Sequence, residues 1–289
     1  MLVPGNKICT SSKSASIHYR ILPKAMTLLL VIWLTGCAEK IDLELDETYS
    51  RLVVEASVSN RMDMHRVVLT RTANFFSNEA APRVEGASVS VSDGTNHWDL
   101  TERDTGLYIP SAKFSAKAGQ EYHLAIQHEG REYHASSLMP GVPEIDSLTL
   151  QRHTWNRENK EMVVHFQDPG DTRDFYMWKV FLNGIELINP ISRTRFISDE
   201  IVNGQYLNMP FFTFREDEHM PKPGDTIRVE MHGITEAYYL FLDAMRRNQG
   251  TVGGPFTGPP ANIPGNIDNG ALGFFLVSNI TEAVVIMDL

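Results

Sequence analysis

Three carboxylates recur at every third position in Asp168-Pro169-Gly170-Asp171-Thr172-Arg173-Asp174. Converging carboxylates can bind a hard cation or share acid–base work. A calcium loop, however, gathers about six oxygen ligands around a defined turn, and this run lacks EF-hand spacing. A solvated turn fits it better, and whether the acidic clusters bind calcium stays open at this level. Glu216-Asp217-Glu218-His219 joins carboxylates to an imidazole. Neighbouring residues of a strand point to opposite faces, so this run reads as a charged loop. His123, His134 and His165 fall in strand-like segments and are expected on polar faces. The sequence holds no G-x-S-x-G, Walker loop, G-x-G-x-x-G or H-E-x-x-H. No catalytic residue, metal or cofactor is therefore expected, and the chain is not expected to be an enzyme.

Aromatic residues point to contact rather than catalysis. In Met209-Pro210-Phe211-Phe212-Thr213-Phe214, an extended backbone would put Phe212 and Phe214 on one face and Phe211 on the other. Residues 250–270 (GTVGGPFTGPPANIPGNIDNG) contain ten Gly or Pro among 21. A connection this long is uncommon without a role, and it carries Phe256, Ile263 and Ile267. The segment reads as an ordered loop pinned against the domain. A Pro-restricted backbone loses little entropy on binding, and an aromatic anchor often dominates interface energy. Phe211, Phe256, Asn262 and Asn266 are the candidate partner or ligand contacts, an aromatic core being the competing explanation for the phenylalanines.

The elements that position these residues are mostly strands. In Ala87-Ser88-Val89-Ser90-Val91-Ser92 the apolar residues alternate, as do Tyr122, Leu124 and Ile126. Asp93-Gly94 and Glu129-Gly130 supply turns. Seven or eight short strands over residues 51–143 predict an Ig-like β-sandwich. Pro140-Gly141-Val142-Pro143 marks a boundary. Residues 144–289 then predict a second β-rich domain, with hairpin signals at Asn183-Gly184 and Asn203-Gly204. One helix is expected over 235–248, capped by Thr235, with Ala237, Tyr238, Phe241, Leu242 and Met245 on one stripe.

The start of the chain addresses location. Residues 25–34 (AMTLLLVIWL) are apolar and follow Arg20 and Lys24, and the first 36 residues contain no acid. The stretch is far shorter than the roughly 20 residues that span a bilayer, so it reads as a secretory signal peptide over 1–36. Leu34-Thr35-Gly36-Cys37 resembles a bacterial lipobox, which makes Cys37 the lipid-attachment residue. Several acyl chains, at about 0.8 kcal/mol per buried CH₂, would anchor the protein firmly. Cleavage would leave 22 basic against 36 acidic side chains, a net charge of −14. That balance argues against nucleic acid as a partner. Residues 37–50 form an acid-rich tether.

The opening Ile41-Asp42-Leu43-Glu44-Leu45 and Leu52-Val53-Val54-Glu55-Ala56, the mid-chain Phe196-Ile197-Ser198-Asp199-Glu200-Ile201-Val202-Asn203-Gly204, and Pro223-Gly224-Asp225-Thr226 occur in order. They lead to Asn262-Ile263-Pro264-Gly265-Asn266-Ile267-Asp268-Asn269-Gly270-Ala271-Leu272-Gly273-Phe274-Phe275. In this order the segments resemble the Bacteroidetes outer-membrane lipoproteins of domain-of-unknown-function family 4249. The resemblance implies a lipid-anchored accessory protein of the outer membrane, on its cell-surface face, with a TonB-dependent β-barrel receptor as partner in uptake of an unknown nutrient ligand. Two rival readings remain open: a structural or adhesive surface lipoprotein, and a hydrolase of a surface polymer using carboxylates such as Asp168 and Asp171.

Overall fold

The computed structural model describes residues 50–73, 80–187, 191, 193–216, 218–250 and 263–288. The signal segment, Cys37, the tether, Phe256 and Asn262 lie outside the described residues. The protein is mainly β, a β-sandwich with one helix.

Seven strands come first: β1 (Leu52–Ser59), β2 (Arg66–Arg71), β3 (Ser88–Ser92), β4 (His97–Asp104), β5 (Leu107–Pro110), β6 (Glu121–His128) and β7 (Arg131–Leu138). Each sends alternate side chains to one core. Val89 and Val91 are buried, as are Tyr122, Leu124 and Ile126, on the faces that alternation assigned to them. Glu129 and Gly130 both have positive φ in the β6–β7 hairpin, the left-handed pair that a tight turn between twisted strands requires.

The second half contributes β8 (Ser147–Arg152), β9 (Lys160–Gln167), β10 (Phe175–Leu182), β11 (Ile185–Glu186), β12 (Phe196–Ser198), β13 (Tyr206–Phe214), β14 (Thr226–Gly233), α1 (Glu236–Gly250) and β15 (Leu272–Ile286). Strands β13-β9-β8 form a three-stranded sheet. All others join one twelve-stranded sheet running β11-β10-β14-β15-β1-β2-β5-β4-β3-β6-β7, with β12 paired to β10. The small sheet packs on β10 and β14 around Met162, Phe166, Trp178, Phe214 and Val229. Helix α1 covers the opposite face through Tyr238, Tyr239, Phe241, Leu242 and Met245. Strand β10 is therefore buried on both faces. Thr235 caps the helix, its hydroxyl accepting from Tyr238 N–H (3.2 Å). Ala237, expected on the packed stripe, is exposed, and Tyr239 packs instead against Phe175 and Phe196.

The expected break at Pro140–Pro143 lies between the two cores, but the chain crosses back through β15. Leu272–Ser278 runs parallel to β1, and the rest of β15 pairs antiparallel with β14. Ala271, Phe275 and Val277 belong to the first core, so the 51–143 sandwich is completed by a strand about 130 residues beyond its expected end.

Asparagines splice this arrangement. Asn60, just past β1, extends the ladder by donating to Ile280 C=O (2.9 Å) and accepting from Ile280 N–H (3.0 Å). Asn266 does the same for Phe275, accepting from its N–H (2.8 Å) and donating to its C=O (3.0 Å), and it also donates to Ser136 C=O on β7 (3.3 Å). A carboxamide offers one acceptor and two donors, so it can stand in for a strand's backbone. Asn269 donates to Glu132 C=O, and Asp268 accepts from His134 N–H. Residues 266–269 thus tie β7 to β15 and fasten together the two ends of the first cell, the strands around the first core; the strands and helix around the second core make the second cell.

Candidate functional site

Asp168 follows β9, Asp174 precedes β10 and Asp199 follows β12. One carboxylate oxygen from each converges, all within 4.8 Å of one another. Asp168 and Asp199 are buried, at 1% and 0% exposure, and Asp174 is half-buried. The expectation of a solvated turn fails here. The chain folds the turn inward because Tyr176 O–H (2.6 Å) and Gly204 N–H (2.8 Å) donate to Asp168. Asp171 is exposed and stays outside the cluster.

Asn203-Gly204 makes no hairpin. It carries the chain from β12, in the large sheet, to β13, in the small one. Gly204 has φ +73 and its Cα packs on Gly170, a close approach that a side chain would block. Asp199 accepts from Asp174 N–H through Oδ2 (2.8 Å). Its buried Oδ1 has no hydrogen-bond partner among the described residues. No Lys, Arg or His among the described residues forms an ion pair with the three carboxylates; Arg173 pairs with Glu200 and Glu236 instead. Burial, together with the charges of Asp168, Asp199 and Asp171, pushes the Asp174 carboxyl above its usual range. Two unit charges 4.8 Å apart repel by about 3.5 kcal/mol at an effective dielectric constant of about 20.

A second polar group lies on β14 and β15. His232 Nδ1 is 3.2 Å from Ser278 Oγ, and Nε2 is 3.4 Å from Glu230 Oε2. The composition imitates a Ser–His–acid triad, but Glu230, His232 and Ser278 are all at most 3% exposed. A substrate has no route to Ser278, and geometry of access decides such roles. Arg228 pairs with Glu230 and, like Arg61, reaches Glu282, so the row is an ionic network. Burial holds the His232 imidazole below its usual pKa. Burial pushes Glu230 up, but hydrogen bonding and charge from His232 and Arg228 hold it below its usual value; Arg228, permanently charged, is the partner that accounts for this.

Among the described residues, clefts open on the surface beside each core. A shallow groove of about 490 Å³ exposes His97, His123 and His134 beside Ser90, Ser92 and Asn266. A larger cleft of about 800 Å³ is lined by Phe211, Phe212, Arg193, Arg195, Arg215 and Glu218, among others. Phe211 is only 6% exposed, against the expectation of an exposed contact. A β-bulge between Pro210 and Phe212 inserts it as an extra residue, and a bulge re-aims a side chain. Its ring therefore turns to Trp178, 5.7 Å away, and Phe211 joins Phe214 inside while Phe212 is half-buried. Pro210 is tolerated because β13 is an edge strand. Asn266 borders the smaller groove, with its carboxamide committed to backbone groups. Ile267 packs on the first core and Phe211 on the second, so the structure does not unite the described part of the 250–270 loop and β13 in one surface.

Residues 38–283 match the family described as Domain of unknown function (DUF4249). The chain belongs to that family. The match covers both cells and the returning β15 almost to its end. No curated protein matches the chain. Among solved structures, a chain of a "Cytokine receptor complex - Crystal form 1A" is similar at 11% identity, over 80% of this chain and 94% of that one, with a TM-score of 0.21. A likeness at that score carries no argument about the fold or role of this DUF4249 protein. The ionic row and the role of Asp199 escaped the sequence reading; the local signal for the latter was Asp199 itself, within the mid-chain family segment.

Proposed function

We propose that the protein is a lipid-anchored accessory protein of the outer membrane, on its cell-surface face, that binds a ligand for a TonB-dependent transporter. The anchor rests on the lipobox-like Leu34-Thr35-Gly36-Cys37, and the transporter on the family resemblance. Among the described residues no helix is long and apolar enough to cross a membrane.

The observation that carries the binding reading is the cleft beside β13. Its volume of about 800 Å³ falls in the range of small-molecule sites, about 300–1,000 Å³. It combines an aromatic wall, Phe211 and Phe212, with three arginines in a strongly acidic chain. Glu218 holds Arg193 at 3.1 Å. Arg195 and Arg215 are exposed and make no salt bridge among the described residues. Such a cleft suits a ligand with an apolar body and an anionic group, which guanidinium forks bind in two-point fashion.

Co-purification from detergent-solubilised outer membranes tests the reading. The wild-type chain should bring down a TonB-dependent barrel, and native mass spectrometry should detect a small anionic ligand that an Arg195→Ala/Arg215→Ala variant loses. Recovery of the chain in the soluble fraction, or from membranes with neither barrel nor ligand, overturns it.

A further inference from the structure

We propose that Asp168, Asp174 and Asp199 form a calcium site that fastens the three-stranded sheet to the twelve-stranded one. The three carboxylates come from two segments, the β9–β10 turn and the residue after β12, and their oxygens converge within 4.8 Å. Proximity of acids alone would not make a site. The deciding observation is Asp199: it is fully buried, its Oδ1 lacks any hydrogen-bond donor among the described residues, and it belongs to the converging set. Native structures rarely leave a buried polar atom unpaired, and an ion is one of the groups that satisfies one. No basic side chain among the described residues supplies the missing positive charge.

The donor set selects the ion. All three groups are carboxylates, which suit hard cations, whereas zinc and copper favour imidazole or thiolate. Magnesium demands near-octahedral geometry and keeps several waters. Two of these carboxylates are sealed in protein, which leaves little room for that hydration. Calcium accepts irregular geometry and six to eight oxygens, and half-exposed Asp174 leaves one side open for entry and for water. The carboxylates are also held in advance. Tyr176 and Gly204 fix Asp168, Thr172 O–H donates to Asp174 (2.6 Å), and Asp174 N–H fixes Asp199. Asp168 directly follows β9 of the small sheet, while Asp174 and Asp199 flank β10 and β12 in the large one. A bound ion would therefore bridge the two layers of the second core.

Calorimetry and thermal melts on the full chain, purified in detergent with EDTA and then freed of chelator, test the site with calcium chloride alone. One calcium ion should bind per chain, and the melting temperature should rise with calcium concentration. Asp199→Asn keeps an oxygen for Asp174 N–H but removes one charge. It should weaken calcium binding by at least about tenfold, while its calcium-free melting temperature equals or exceeds that of the wild type. A purely structural role for Asp199 predicts the opposite, a lower calcium-free melting temperature with the calcium response retained. Asp171→Asn, outside the cluster but close enough for its charge to reach Asp174, should weaken binding far less than Asp199→Asn does. If Asp199→Asn fails to fold, Asp174→Asn at the half-exposed position reads the same loss. A wild-type chain that shows neither binding heat nor a melting shift, an equal response to magnesium, or undiminished binding in the Asp199 or Asp174 variant overturns the proposal.

Discussion

The two cells of the molecule treat buried polar groups differently. In the first, His65 is buried and both ring nitrogens are used: Nδ1 accepts from Ser59 N–H and Nε2 donates to Phe114 C=O at 2.7 Å. The Phe114 ring is stacked between His65 and Trp98, each at 4.0 Å. Tyr108 O–H donates to Val84 C=O, and the Tyr122 hydroxyl accepts from Lys117 N–H. In the second cell lie the buried side-chain atoms that lack a well-aligned hydrogen bond among the described residues: Trp178 Nε1, Asp199 Oδ1, and the pair Glu230 Oε2 and His232 Nε2, which face each other at 3.4 Å. An unsatisfied buried polar group costs about 1–3 kcal/mol. The first cell is thus a satisfied scaffold. The second carries local costs, and it also holds the acidic cluster and the arginine-lined cleft, the pattern expected where function overrides stability.

The largest effect should come from removing the strand that the cells share. A fragment spanning 51–143 lacks Ala271, Phe275 and Val277 and the parallel partner of β1. It should remain unfolded, giving a collapsed amide NMR spectrum. Joining residues 263–281 to it through a flexible linker should restore dispersion. A folded 51–143 fragment would show that the first cell needs no help from the second.

Phe275→Ala comes next. The side chain is fully buried in the first core, so truncation should cost about 3–5 kcal/mol, read by urea denaturation. Asn266→Ala should cost about 1–3 kcal/mol, because Phe275 N–H and C=O lose their partner and Ser136 C=O loses a donor. Hydrogen exchange should then accelerate on β7 and the first half of β15, and not on β9 or β13. Protection lost equally in both cells would mean the molecule opens as one cooperative unit, and the distinction between cells would be one of chemistry alone.

Local signals made some of this legible. Alternation in β3 and β6 revealed which faces are buried, and the Thr235 cap and apolar stripe marked the helix. The acid-rich run at 168–174 drew attention to the correct turn. Its chemistry was hidden because Asp199 lies 25 residues beyond Asp174, and no local period announces which segments will meet. The same limit hid the parallel β1–β15 pairing. In β14 the alternation Arg228, Glu230, His232 imitates a solvent face; only β15 and its neighbours reveal that it is covered. The bulge at Phe211 broke the period of two and reversed that residue's orientation.

The smallest effect is a pH dependence that compares the two buried histidines directly. Burial lowers the pKa of both His65 and His232. In the unfolded chain each titrates near about 6.5. The folded state therefore resists protonation that the unfolded state accepts, and stability present above about pH 6.5 is lost as pH falls toward the folded pKa values. Each imidazole can contribute at most about 1.4 kcal/mol per pH unit in that window. The raised carboxyl of Asp174 acts in the opposite sense: the stability it contributes is full below its unfolded pKa and lost as pH rises through its folded one, so it offsets the histidines rather than adding to them. His65→Gln and His232→Gln should each flatten the fall in urea-derived stability between pH 7 and about 5.5. The flattening should be accompanied by a larger loss at pH 7.5 for His65→Gln, because that substitution removes a ring whose hydrogen bonds and stacking are complete. His232→Gln gives up a ring whose Nδ1 meets Ser278 at 3.2 Å and whose Nε2 meets Glu230 only at 3.4 Å. Equal losses at pH 7.5 would erase the contrast between the satisfied first cell and the second.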